Sequence, residues 1–126
     1  MSVPAYIEHV ALRVRDPAVH LAFFRDALGM DVREIDGPQE APRQIWLHGG
    51  LQLVGDPDFA DGGGRFLHLG LMVEDLEAAI AAARRHGARS LPRGENWLAL
   101  PDGLVIELQQ AGGDAVARIR AIDPRG

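Results

Sequence analysis

Two histidines occupy the same position in a segment that occurs twice in this sequence, and imidazole is the most common protein ligand for transition metals. Residues 7–16, IEHVALRVRD, align with residues 66–75, FLHLGLMVED, with the histidine and the final aspartate both in register. The histidines are His9 and His68. One imidazole per copy of a duplicated segment suggests that the two side chains serve one metal site.

A carboxylate and an amide complete the candidate ligand set. The even-numbered residues of 104–108 are apolar and should face a core, so Glu107 faces the opposite side of its strand. The same alternation over 51–54 buries two leucines and turns Gln52 away from the core. Two imidazoles, one carboxylate and one amide oxygen suit Zn²⁺, Ni²⁺, Co²⁺, Mn²⁺ or Fe²⁺ better than Ca²⁺.

Each candidate also has an ordinary structural interpretation. A histidine on a strand is often a surface group, and Glu107 could face solvent from an edge strand. Trp46 and Trp97 lie on the same inward parity and would suit an aromatic ring of a substrate, or they pack as ordinary apolar residues. The repeated position of the two histidines favours the metal-binding interpretation.

Composition excludes several large functional classes. The chain has 126 residues, 47% hydrophobic and 25% charged, which suits one globular domain over residues 1–126. It has no cysteine and no lysine, which excludes disulfides, thiolate nucleophiles, P-loop lysines and Schiff-base chemistry. The net charge of -5 argues against a nucleic-acid partner. No long apolar run or export signal is present, so we expect a cytoplasmic protein without membrane contact.

Each repeated strand should lead into a helix, because Asp16 and Asp75 stand where helix N-caps belong. The first helix is predicted to place Leu21, Phe24 and Leu28 on one apolar stripe. The second helix has the corresponding stripe of Leu76, Ala79, Ile80 and Ala83. Gly29 and Gly87 are the predicted helix ends.

Further strands should follow each helix as a hairpin. The first pair is predicted at 44–48 and 51–54 around two glycines, and the second at 97–100 and 104–109 around an Asp-Gly pair. The prediction is an α+β fold with a first module at 5–54, a Gly-rich linker at 55–65, a second module at 66–110 and a tail at 111–126. The tail is expected to contain a short helix at 115–122, capped by Asp114. Two such modules with paired mixed sheets would form a concave cavity.

The segments HVALRVRD from His9, FFRDALGM at 23–30 and PDGLVIEL at 101–108 resemble the vicinal oxygen chelate superfamily, which includes glyoxalases, extradiol dioxygenases and bleomycin-resistance proteins. The resemblance covers nearly the whole chain and implies paired βαβββ modules. It implies that His9, His68, Glu107 and Gln52 are the metal ligands. The first motif is most similar to glyoxalase I, which implies that Arg13 binds a substrate carboxylate.

The same resemblance implies a function for this chain. We expect a metal-dependent lyase or isomerase whose small substrate chelates the metal through adjacent oxygens, with Glu107 as the catalytic base. Gln44 falls where methylmalonyl-CoA epimerase carries a catalytic glutamate, and we group it with Arg13, Trp46 and Trp97 as substrate-binding. The stretch from Gly87 to Asp102 is shorter than the strand and loop with which glyoxalase I helps to enclose its thiol conjugate. This difference argues against glutathione substrates.

Two alternatives remain open at this point. With ferrous iron, two histidines and a carboxylate would suit an extradiol dioxygenase that acts on a catechol. Without metal, the cavity would make a bleomycin-resistance-like protein that binds a small molecule without chemistry. The resemblance also implies a homodimer.

Overall fold

The computed structural model describes residues 2–28, 30–60 and 64–126, which form two compact units. Within these described ranges, one unit lies at residues 9–67, and the other joins residues 2–8 to residues 68–126. Gly29 and residues 61–63 of the predicted linker lie outside the described residues. The fold is α+β, with eight strands and few helices, as predicted.

The first unit contains one parallel and two antiparallel strand pairs. Its strands are β1 (Ala5–Val14, of which residues 9–14 belong to this unit), β2 (Val32–Asp36), β3 (Gln44–Leu47) and β4 (Leu51–Gly55). Their order in the sheet is β2-β3-β4-β1, and only the β4–β1 pair is parallel. Between β1 and β2 lie helix α1 (Pro17–Ala22) and a π-helical turn (Phe23–Ala27).

The second unit repeats this plan. Its strands are β5 (Phe66–Val73, which enters this unit at residue 68), β6 (Arg89–Leu91), β7 (Gly94–Ala99) and β8 (Val105–Gln110). Their order is β5-β8-β7-β6, with only β5 and β8 parallel. Helix α2 (Leu76–Arg85) follows β5, and helix α3 (Ala115–Arg120) lies in the tail. The order strand, helix, three strands therefore occurs twice, which confirms the predicted βαβββ repeat.

Both predicted N-caps form. The Asp16 carboxylate accepts a hydrogen bond from the Ala18 amide at 3.0 Å, and Asp75 accepts one from the Ala78 amide at 3.1 Å. These bonds satisfy amide groups that a helix leaves without an internal acceptor at its first turn. The repeated aspartate therefore marks the point where each first strand gives way to a helix.

The predicted stripe of the first helix is only partly correct. Leu21 is buried and Phe24 is half-buried, but Leu28 is 59% exposed. The cause is the π-helical turn at Phe23–Ala27, whose wider spiral moves residues spaced for an α-helix off the common face. The stripe of α2 shows no such interruption, since Ala79 is buried and its apolar neighbours pack against the core.

The two hairpins form as predicted, but the sequence patterns did not locate β2 and β6. Both are edge strands with mostly exposed or half-buried residues, so neither shows the alternation of a strand that covers a core. Gly49 and Gly50, between β3 and β4, adopt φ values of +100° and +98°, which residues with a Cβ rarely adopt.

The tail helix is shorter than predicted and its cap differs. Helix α3 ends at Arg120 rather than at residue 122, and Ile122 is 63% exposed. Asp114 occupies the N-cap position, but its carboxylate pairs with the Arg118 guanidinium at 2.8 Å instead of bonding to a helix amide.

None of the helices in the described part of the chain has the length and apolar character that a membrane-spanning helix needs.

Each unit has its own apolar core. In the first unit the buried members are Val14, Leu21, Ile45, Leu47 and Leu53. In the second unit they are Val73, Ala79, Ala88, Leu98, Ile106 and Leu108. Each core lies on one face of its sheet, so the residues of opposite parity are left for the other face.

Ile45→Ala is expected to lower the free energy of unfolding by about 2–5 kcal/mol, because Ile45 is fully buried and the surrounding core refills such a cavity only partly. Urea denaturation followed by circular dichroism measures this change. Ile119→Ala, at a residue that is 43% exposed, is the control and should change stability much less. Equal losses for the two variants would contradict the assignment of Ile45 to the core.

Candidate metal centre

In the first unit, strand register brings Gln52 onto the face opposite the core. Gln52 on β4 pairs with Ala11 on β1 and with Trp46 on β3, so the three side chains lie on one face. His9 lies two residues before Ala11 and has the same parity. Both polar side chains are removed from solvent, since His9 and Gln52 are each only 5% exposed.

The second unit repeats this register with a carboxylate in place of the amide. Glu107 on β8 pairs with Gly70 on β5 and with Trp97 on β7. His68, 8% exposed, lies two residues before Gly70. His9, Gln52 and Trp46 of the first repeat therefore correspond to His68, Glu107 and Trp97 of the second.

His68 and Glu107 lie side by side. The His68 Nε2 atom is 3.7 Å from the Glu107 Oε1 atom, and the imidazole edge contacts the Trp97 ring with centroids 4.7 Å apart. The Gln109 amide donates a hydrogen bond to Glu107 Oε2 at 2.9 Å. This second-unit arrangement holds one carboxylate oxygen with an amide and leaves the other beside an imidazole.

Within the described part of the chain, the Gln52 amide is hydrogen-bonded at its NH₂ end and unsatisfied at its oxygen end. Its Nε2 atom donates to Gln44 Oε1 at 2.7 Å, and Gln44 Nε2 in turn donates to Asp36 Oδ2 at 3.2 Å. The Gln52 Oε1 atom is buried and has no hydrogen-bond partner among the described residues. A buried acceptor without a partner costs free energy, and a cation at this oxygen would remove that cost. The Gln52 side chain is therefore suited to bind a metal ion through its Oε1 atom.

Arg43 holds the pKa of the Asp36 carboxyl below its ordinary value of 3.8, mainly through the hydrogen bond from its guanidinium at 2.9 Å, with a second contribution from Gln44. Because the pKa of Asp36 is lower in the folded state than in the unfolded state, the ionised carboxylate stabilises the fold at pH values above the unfolded-state pKa. The contribution is lost as the pH falls through the folded-state pKa.

Arg43→Met is expected to raise the pKa of Asp36 toward its ordinary value, because the largest cause of the shift is then removed. A pH titration of the Asp36 carboxyl carbon by NMR measures the midpoint in both proteins. The Asp26 carboxyl, whose pKa is lowered by its hydrogen bond from Arg25, is the internal control in the same spectra and should keep its midpoint. An unchanged Asp36 midpoint would show that Arg43 does not hold this carboxylate.

The predicted substrate-binding residues have definite neighbours. Arg13 on β1 pairs with Val54 on β4, so its side chain lies on the same face of the sheet as Gln52. Its Nε atom is 3.6 Å from the Asp56 carboxylate. Both charged side chains are about one-third exposed, at 34% and 36%. A substrate carboxylate at Arg13 would therefore compete with Asp56 for the guanidinium.

Two side chains, Arg93 and His68, contact the Trp97 ring. The Arg93 guanidinium lies 3.9 Å from the ring centroid, and His68 contacts the ring from another direction. Such a cation–π contact favours a fixed ring. This packing reduces the room for a substrate ring at Trp97, which the sequence could not indicate.

Sequence reasoning missed Asp36, Gln109 and Arg93. Gln109 lies two residues after Glu107 and Arg93 lies four residues before Trp97, and neither belongs to one of the motifs. Asp36 is the final residue of β2, a strand that the sequence patterns did not locate. The contact between Gln44 and Gln52 could have been predicted from the hairpin. In its register Gln44 pairs with Val54 and Trp46 pairs with Gln52, so Gln44 and Gln52 are diagonal neighbours on the same face.

Comparison with known proteins agrees with this fold. The sequence matches the glyoxalase-like domain family over residues 9–109. This chain therefore belongs to the glyoxalase-like domain family, within the vicinal oxygen chelate superfamily that the motifs predicted. No curated protein matches the chain significantly in sequence.

Solved structures of similar fold include enzymes with different chemistry. Streptomyces coelicolor methylmalonyl-CoA epimerase is 23% identical, with 89% of this chain and 97% of that chain covered and a TM-score of 0.63. The 2,3-dioxygenase LapB from Pseudomonas sp. KL28 is 19% identical, with 85% and 42% covered and a TM-score of 0.59. A hypothetical protein from Bacillus halodurans C-125 is 12% identical, with 86% and 96% covered and a TM-score of 0.65. At these identities the likeness to solved structures shows the fold alone. The family match and the fold together support an enzyme or a binding protein of this superfamily, without a more specific function.

Proposed function

We propose that this protein is a metal-dependent lyase or isomerase that acts on a small substrate with two adjacent oxygens. His9, His68, Glu107 and Gln52 hold one divalent metal ion in this proposal. Glu107 is also the catalytic base, and Arg13 and Trp46 contact the substrate.

The observation that carries the proposal is the donor set. One unit holds the imidazole of His68 beside the carboxylate of Glu107, and the other unit holds the buried imidazole of His9. The two imidazoles are almost fully buried, at 5% and 8% exposed, so both nitrogen donors are removed from bulk water. Gln52 adds a buried oxygen that has no hydrogen-bond partner among the described residues.

The chemistry of these donors supports a Lewis-acid site. A divalent ion bound by nitrogen and oxygen donors stabilises negative charge that develops on substrate oxygens. Glu107 takes the proton from the carbon beside the substrate carbonyl: the C–H bond breaks, the carboxylate gains the proton, and the electron pair moves toward the carbonyl oxygen. Return of a proton to the same or the neighbouring carbon completes an epimerisation or isomerisation. The Gln109 amide keeps the carboxylate in one orientation during this transfer.

The substrate side of the proposal rests on Arg13. The Arg13 side chain is one-third exposed, and its Nε atom lies 3.6 Å from the Asp56 carboxylate, which is longer than a direct hydrogen bond. A substrate carboxylate with two oxygens would bind a guanidinium by paired hydrogen bonds, which are stronger than this contact. An acidic substrate with a carbonyl and a neighbouring oxygen therefore suits the proposed site best.

Metal analysis combined with proton exchange tests this function. The protein is purified without chelator, its metal content is measured, and a 2-hydroxy-3-oxo acid is incubated with it in D₂O. We expect about one divalent ion per chain and metal-dependent loss of the C–H signal in the ¹H NMR spectrum. Oxygen consumption on catechols with bound iron would instead favour a dioxygenase. A protein that binds no divalent metal even after loading would leave only a binding function.

A further inference from the structure

Asp36, Gln44 and Gln52 form a chain of hydrogen bonds that begins at a group with a fixed role. The Asp36 carboxylate also accepts a hydrogen bond from Arg43 Nη2 at 2.9 Å. An ionised carboxylate only accepts hydrogen bonds, so the neighbouring Gln44 must turn its NH₂ group toward Asp36. The observed contact, Gln44 Nε2 to Asp36 Oδ2 at 3.2 Å, has this sense.

The orientation of Gln44 determines that of Gln52. With its NH₂ group on Asp36, Gln44 offers its carbonyl oxygen to Gln52, whose Nε2 atom donates to it at 2.7 Å. The Gln52 oxygen is then turned away from Gln44 and is buried without a hydrogen-bond partner among the described residues. The two ends of a glutamine amide have nearly the same shape, so packing alone cannot select between its two orientations. Hydrogen bonding selects one.

We propose that Asp36 and Gln44 are positioning residues that orient the Gln52 amide so that its oxygen, and not its NH₂ group, faces the bound metal ion. This inference rests on the proposed function and deepens it. It also gives Gln44 a different role from the substrate-binding one expected from the sequence. Only the amide oxygen has lone pairs available to a cation, so a reversed amide would present two N–H donors to the ion.

Two substitutions at residue 44 separate orientation from simple loss of structure. Gln44→Met keeps a similar length but removes the acceptor, which leaves the Gln52 amide free to reverse. Gln44→Glu keeps an acceptor oxygen for Gln52, whether the new carboxyl is ionised or shares a proton with Asp36. Both variants alter the contact with Asp36, so a purely structural role for Gln44 would weaken both.

The first measurement is the affinity for Co²⁺, obtained by competition with a chelator, together with the visible absorption of the bound ion. We expect Gln44→Met to lower the affinity about 10–100-fold, the usual loss when a group that orients a metal ligand is removed. Gln44→Glu should restore the affinity to within a few-fold of the wild-type value. Gln39→Met, at an exposed glutamine of the same unit, is the matched control and should bind like the wild type.

A double variant excludes direct binding of the ion by the new carboxylate. If the carboxylate introduced by Gln44→Glu acts through Gln52, then combining Gln44→Glu with Gln52→Met loses the restored affinity. If the double variant retains the restored affinity, residue 44 contacts the ion itself and the positioning role is overturned.

A second measurement needs no metal. The side-chain NH₂ protons of Gln52 should exchange slowly with solvent in the wild type and in Gln44→Glu, because both proteins supply an acceptor. They should exchange faster in Gln44→Met. Equal exchange rates in all three proteins would overturn the inference.

The outcomes distinguish the two proposals. A wild-type protein that binds no divalent metal overturns both the function and the positioning role. A wild type that binds metal, with undiminished affinity in Gln44→Met or with equal losses in both variants, overturns only the positioning role. Loss in Gln44→Met with recovery in Gln44→Glu supports it.

Discussion

His68→Ala is expected to lower the affinity for divalent metal by more than about 100-fold, beyond the 10–100-fold typical when only a supporting group is lost. His68 is 8% exposed and its Nε2 atom is 3.7 Å from the Glu107 carboxylate. The substitution therefore removes a buried nitrogen donor next to the proposed carboxylate ligand. Isothermal titration with Zn²⁺ or Co²⁺ into metal-free protein measures the change.

The matched control for His68→Ala is His48→Ala. His48 is an exposed histidine at the turn between β3 and β4, so its loss should leave the affinity unchanged. Circular dichroism of both variants checks that the fold is retained. If a folded His68→Ala protein bound metal as tightly as the wild type, His68 would not be a ligand.

Glu107→Gln is expected to reduce metal-dependent C–H exchange by about 10²–10⁴-fold, the contribution usual for a positioned general base. The amide that replaces the carboxylate cannot accept a proton from carbon at neutral pH. The substitution also removes the negative charge from the proposed ligand set, so weaker metal binding should accompany the loss. Exchange rates are therefore compared by ¹H NMR in D₂O at saturating metal.

Glu95→Gln provides the control for Glu107→Gln. Glu95 is an exposed residue of β7 in the same unit, and its replacement makes the same change of charge. Its exchange rate should match that of the wild type. Full exchange activity in a metal-loaded Glu107→Gln protein would exclude Glu107 as the base and require another one.

The repeat explains why so much of the fold could be predicted from the sequence. An aligned His-to-Asp segment gives the first strand of each unit, and the aspartate gives the helix start through a local hydrogen bond. Alternation then gives the parity of β4 and β8, because one face of each covers a core. The edge strands β2 and β6 and the π-helical turn lack such local signals, since tertiary packing decides them.

The candidate site was predictable to the same extent. Parity alone placed Gln52 and Glu107 on the face opposite the core, and register adds that each stands beside a tryptophan. The contacts that orient these side chains were not predictable. The hydrogen bond from Gln109 to Glu107 and the chain from Asp36 to Gln52 depend on side-chain rotamers, which alternation does not encode. The ligand roles, the homodimer and the module boundaries stay predictions.

A chemical difference between the two repeats, at the position of Gln52 and Glu107, has an electrostatic consequence. Where the second repeat carries the anionic Glu107, the first carries the neutral Gln52 at the corresponding register position. Two neutral imidazoles, one amide and one carboxylate have a formal charge of -1, so a divalent ion held by them leaves an excess of +1. A duplicated pair of carboxylates would cancel that excess. If the proposed ligands hold a divalent ion, this unequal repeat would leave a positive centre that attracts anions in a protein whose overall charge is -5.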